Sequence, residues 1–133
     1  MKRMYKSEKG QALVEMAIIL PILLLLLFSI IEFGWVFGAQ LLVTHASREG
    51  ARYGAVHSSD ATVLTDITSR SQAVASVLTG LGVSPTYTNS GNRRQGDIIV
   101  TITYPVNIIT PVVRAIIGSS VVTVQSSCQM KVE

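Results

Sequence analysis

The chain of 133 residues has one cysteine, Cys128, so no intrachain disulfide can form and the redox compartment is barely constrained. Charge is scarce as well: Asp, Glu, Lys and Arg make up 14%, low for a soluble domain. There is no P-loop, no nucleophile with a recognisable general base and no metal-ligand spacing. His45 and His57 have no companion ligands and read as satisfied or solvent-facing side chains. No catalytic, metal-binding or cofactor-binding residues are therefore expected. A basic stripe is missing too. The net charge of +3 sits in the first ten residues, where Lys2, Arg3, Lys6 and Lys9 oppose Glu8; the other seven Lys/Arg balance seven Asp/Glu. Arg93-Arg94 alone reads as a solvated loop, and a nucleic-acid partner is not expected. Internal repeats and low-complexity linkers are absent.

What the chain has in excess is apolar surface, 48% of its residues, concentrated near the N-terminus. Residues 16–31 hold no ionisable side chain and residues 33–47 hold only His45, with Glu32 between the two runs. A bilayer core needs about 20 apolar residues as helix. Residues from about 16 to 43 are thus expected to span the lipid bilayer. The basic flank places the N-terminus in the cytoplasm and the C-terminal head outside it. A plain signal anchor satisfies this pattern. A cleaved secretory signal peptide fits poorly, because the run is too long and carries acids at Glu15 and Glu32.

The segment Lys9-Gly10-Gln11-Ala12-Leu13-Val14-Glu15 resembles the processing site of type IV prepilins. That resemblance implies cleavage between Gly10 and Gln11 by a prepilin peptidase, leaving Glu15 fifth in the processed chain. Gln11 departs from the aromatic first residue of most pilins. Over a longer stretch, "GQALVEMAIILPILLLLLFSIIEFG" followed by "HASREGARYGA" resembles the TadE-like family of tight-adherence pilus systems. The likeness is strongest over residues 10–56 and weaker in the C-terminal "VVTVQSSCQMKVE". It implies a pseudopilin or minor pilin supporting assembly of a tight-adherence (Flp-type) pilus, with adhesion or secretion downstream. The implied partners are the prepilin peptidase, an inner-membrane assembly platform and other pilin or TadE/TadG-like subunits. The implied location is the cytoplasmic membrane, extending to the base or tip of a pilus. A single-pass envelope protein with a structural or interaction head and no pilus role is the alternative.

Within the helix, an acid at bilayer depth needs a partner. The family implies that Glu15 meets the new N-terminal ammonium of a neighbour, or the assembly platform; the plainer reading leaves it near the headgroups. Pro21 lacks an N–H and clashes with the carbonyl of Ala17, giving a candidate hinge or a simple packing kink. Glu32 lies 17 positions beyond Glu15, about 25 Å along a helix, and is expected to be interfacial in the membrane and inter-subunit in a filament. Trp35 beside it fits an interface aromatic. Small residues recur at i, i+4 spacing in two sets, Gly34 with Gly38, and Ala46 with Gly50 and Gly54. Such strips let helices approach closely. The second set extends the helix to about residue 56, where Glu49 and Arg52 are spaced to pair.

The expected fold is α+β: a leader over residues 1–10, a long helix over 11–56 and a small head over 57–133. In the head, Val63, Ile67, Val74 and Leu78 fall at helical spacing, with Asp60 as cap and Gly80 and Gly82 as terminators. "SPTYTNSGNRRQG" holds one short strand and an exposed loop. "DIIVTITYP" alternates, with Ile98, Val100, Ile102 and Tyr104 on one face, and is expected to end as a strand before Pro105. Thr110, Pro111 and Gly118 bracket a short helix whose Val113, Ile116 and Ile117 are expected to cover the sheet. Residues 120–132 form the last strand.

Overall fold

The computed structural model describes residues 8–132. Residues 1–7 of the expected leader, with Lys2, Arg3 and Lys6, lie outside the described residues.

Helix α1, Glu8–Val56, contains 49 residues and extends about 74 Å. From Met16 to Ile31 it is built almost wholly from Leu, Ile, Ala, Met and Phe. Only a structure that satisfies its own backbone suits such side chains in hydrocarbon. The hydroxyl of Ser29 donates to the carbonyl of Leu25 at 2.8 Å, and that of Thr44 to Gln40 at 2.8 Å, so these polar groups are met within the helix. Pro21 lies inside α1, which is helical on both sides of it.

The second half of α1 is the spine of the head. Ala39, Val43, Ala46, Gly50 and Gly54 form one helical face and are covered by the rest of the chain. Against it pack helix α2, Val63–Val74, and a three-stranded sheet of β1, Gly82–Tyr87, β2, Asp97–Asn107, and β3, Val121–Lys131. The strands lie in the order β1-β2-β3, all antiparallel, with Val100 opposite both Pro85 and Cys128. Ile98, Val100, Ile102 and Val106 alternate along β2 and are fully buried. A strand half-buried against a helix needs this period of two. The helix α3, Pro111–Ile117, connects β2 to β3.

Several expectations are corrected. The N-cap position of α2 is Thr62, not Asp60; the Thr62 hydroxyl donates to Asp66 at 2.8 Å, while Asp60 offers only its carbonyl. The third buried position of α2 is Ser71, one turn beyond Ile67, and Val74 is exposed. Leu78 is buried, but in the turn after the helix has ended, and Gly82 opens β1 instead of closing α2. β2 continues through Pro105 to Asn107. Its ladder with β1 stops at Thr103, so the missing N–H of Pro105 need not interrupt pairing on that side. α3 does begin after Thr110 and stop at Gly118, in the left-handed conformation at φ 73. It does not cover the sheet: none of its residues is buried.

The expected span to residue 43 also overlaps the head. Val43 is fully buried, and the Gln40 amide donates to the carbonyl of Gln125 on β3 at 3.0 Å. The stretch of α1 that the head leaves uncovered therefore ends near Gly38.

Candidate functional site

The functional residues expected on α1 fall into three places. At the N-terminal end, Gly10, Gln11 and Glu15 are all helical and exposed. Gln11 and Glu15 stand about one turn apart. The Gly10–Gln11 peptide bond thus lies at an accessible end of the helix, with the acid on the same side of the next turn.

Glu32 is different: it is 5% exposed. The backbone N–H groups of Ile109 and Thr110 donate to Oε1 and Oε2 respectively, each at 3.0 Å, and the Thr110 hydroxyl donates to Oε2 at 2.7 Å. Thr110 occupies the N-cap position of α3 without capping it, because its hydroxyl is turned to Glu32. One carboxylate from the long helix thereby satisfies three donors in the segment that enters α3. Charge-assisted bonds of this kind are shorter and stronger than neutral ones. Arg114 closes the same corner by donating to the carbonyl of Ile108 at 2.8 Å. Glu32 and Thr110-Pro111 are separate signals in the sequence; nothing in the 78 positions from Glu32 to Thr110 links them.

The two sets of small residues have opposite surroundings. A Cβ at Gly34 or Gly38 would meet nothing within 4 Å. They border an apolar groove of ≈ 390 Å³, with Trp35 and Leu42 on α1 and Val77 and Leu78 on the turn after α2. The second set is filled by the head. A Cβ at Gly50 would collide with the Ser71 hydroxyl, and one at Gly54 would come within 2.7 Å of Ile67 Cδ1 and 3.1 Å of Ile98 Cγ1. Ser71 donates to the carbonyl of Ala46 at 3.4 Å, and Tyr87 donates to that of Gly54 at 2.8 Å. Burial pushes the Tyr87 phenol above its ordinary value, which keeps the donor protonated.

Beyond these lies a polar cluster. Arg52 makes two 3.1 Å bonds to Glu49, as their spacing implied, and Arg70 of α2 approaches the same carboxylate at 3.9 Å. The Arg70 guanidinium also lies 4.6 Å over the Tyr53 ring, which stacks on His57 at 4.1 Å. The Arg52 hydrogen bonds, aided by the charges of Arg52 and Arg70, hold the Glu49 carboxyl below its ordinary 4.5 against a desolvation cost. The cluster joins α1 to α2. His45 is exposed, and no group of three or more His, Cys, Asp or Glu that could hold a metal occurs among the described residues.

This geometry defines a helix-anchored protein: one apolar helix, uncovered over its first half, carrying a small α+β head on its second. A family model described as TadE-like protein matches residues 10–52, and supports assigning the chain to the TadE-like family. The match covers about a third of the chain and ends inside α1. TadE-like proteins are structural, pilin-type components rather than enzymes. No curated protein matches the chain, and no solved structure does.

Proposed function

We propose that this chain is a TadE-like minor pilin or pseudopilin supporting assembly of a tight-adherence pilus. The carrying observation is that the family-matched residues 10–52 form one helix whose first half is bare and bears an exposed acid, Glu15. An isolated carboxylate is costly in hydrocarbon. A new ammonium at Gln11 of a neighbouring subunit, produced by prepilin-peptidase cleavage after Gly10, supplies the missing counter-charge on assembly. The membrane platform and other pilin or TadE/TadG-like subunits are the partners in this reading. Pro21 acts as the hinge that lets the helix leave the bilayer. The basic leader stays cytoplasmic and the head is extracytoplasmic.

The test is Glu15→Ala in the native host. Membrane insertion is expected to persist, since removal of an acid lowers the transfer cost, while the sheared surface fraction loses the protein. Equal surface yields for wild type and variant would defeat the reading and favour a plain anchored envelope protein. Mass spectrometry of the membrane-derived chain is expected to show Gln11 as its first residue. A cysteine placed in the 89–94 loop, with Cys128 replaced, is expected to react with an impermeant thiol reagent on intact cells. Labelling only after lysis would reverse the orientation.

A further inference from the structure

Helix α3 and the residue that precedes its N-cap expose large apolar side chains. Ile109, just before it, is 59% exposed, Ile116 71% and Ile117 53%, with Val112 also exposed. Among residues 105–124 the only charge is Arg114. Helix α2, in the same head, mixes its exposed Leu64 and Val74 with the polar Thr65, Ser69, Arg70 and Gln72. The exposed surface of α3 is the more apolar of the two, with Arg114 its one polar side chain.

The position of α3 along α1 identifies its surroundings. Glu32 fixes the start of α3 against the apolar helix through three hydrogen bonds. Leu13 is the first large exposed apolar side chain of that helix. The nineteen steps from Leu13 to Glu32 rise about 28 Å, close to the hydrocarbon thickness of about 30 Å. A bilayer that begins at Leu13 thus ends at Glu32, at the level where α3 is tied. Trp35, placed one turn farther on, is exposed at the headgroup level.

We infer that α3 is an interfacial element: Ile109, Val112, Ile116 and Ile117 enter the outer leaflet of the bilayer beside α1. The proposal rests on the reading of α1 as membrane-spanning and is independent of any pilus role. An apolar helix face with a cationic residue sits at the boundary between headgroups and acyl chains. Ile109, Val112, Ile116 and Ile117 supply the apolar face, and Arg114 the cation. Glu32 is then the latch that sets the depth and tilt of the head on the membrane. Its carboxylate is shielded from lipid by the donors of Ile109 and Thr110, which explains how an acid is accommodated at that depth.

The test uses the full chain in nanodiscs of phosphatidylcholine and phosphatidylglycerol. Single cysteines replace Ile109, Ile116, Ser90 or Leu24 in a Cys128→Ser background and carry a nitroxide. Accessibility to oxygen is compared with accessibility to a water-soluble nickel complex. The labels at 109 and 116 are expected to show ratios between the lipid value at 24 and the water value at 90. Adding Glu32→Ala is expected to move both toward the water value, with the label at 24 unchanged. If 109 and 116 match the loop label while 24 reads as lipid, the interfacial role is overturned and the membrane span stands. If 24 also reads as water, the span itself fails and the inference falls with it. Labels at 109 and 116 shielded from both probes would mean that protein covers α3, which also overturns the assignment to lipid.

Discussion

Gly34-Gly38 and Ala46-Gly50-Gly54 are the same device written twice on one helix, yet the structure uses them in opposite ways. At Gly50 and Gly54 the head comes so close that no side chain fits, and Ser71, Ile67 and Ile98 occupy the space. At Gly34 and Gly38 the space is empty. Spacing of small residues shows where close approach is possible; it does not show whether the partner is the same chain. Their neighbours make the difference. The second set faces a segment rich in Val and Ile that has to bury its own sheet, and the first sits in a stretch suited to lipid or to another helix.

The largest expected effect comes from breaking the filled half. Gly54→Leu forces Ile67 and Ile98 apart and is expected to cost about 3 kcal/mol. Denaturant unfolding of the full chain in detergent micelles, followed by Trp35 fluorescence, measures it. A variant as stable as wild type would show that the head does not close on α1 as described.

Glu32→Ala comes next. It strands the N–H groups of Ile109 and Thr110 and the Thr110 hydroxyl, and is expected to cost about 2 kcal/mol. Hydrogen exchange at Ile109 and Thr110 should accelerate while β2 stays protected. Unchanged exchange there would remove the latch.

Tyr87→Phe deletes a single bond to the carbonyl of Gly54 and is expected to cost about 1 kcal/mol in the same unfolding assay. Because burial raises the Tyr87 phenol in the folded state, the stability tied to its proton is present below its ordinary 10.0 and lost as pH rises through the raised folded value. The phenylalanine variant should lack that alkaline loss.

Glu49 gives a smaller effect of opposite sign. Its carboxyl is lowered in the folded state, so its contribution is complete above its ordinary 4.5 and fades as pH falls through the lowered value. Glu49→Gln should flatten that acid limb of the stability profile, with no change near neutrality in how α2 packs.

The smallest effect on folding belongs to the open half. Gly34→Ala is expected to change stability by less than about 0.5 kcal/mol, since nothing stands within 4 Å of the added carbon. If its surface-fraction yield nevertheless falls, the strip packs against another subunit, and the two halves differ only in which chain supplies the partner.

Residues 10–56 were legible because their pattern is local. A long apolar run needs a self-satisfied backbone, small residues recur at one helical turn, and the Glu49–Arg52 pair lies within a single turn. The alternation of Ile98, Val100 and Ile102 in β2 depends equally on neighbours two positions apart. Where local rules misled, a distant contact had intervened. Ser71 displaced Val74 from the core because the closeness of α1 at Gly50 admits only a small side chain there. Pro105 was admitted to a strand because β1 ends before reaching it. Thr110 surrendered its capping role to a carboxylate far away in the chain. The sequence by itself thus determined the long apolar helix, the strand alternation and the family likeness, all set by short-range periodicity. Tertiary structure alone decided which glycines are filled, what holds Glu32 and why α3 shows its apolar side chains to the outside, because each depends on segments that only folding brings together.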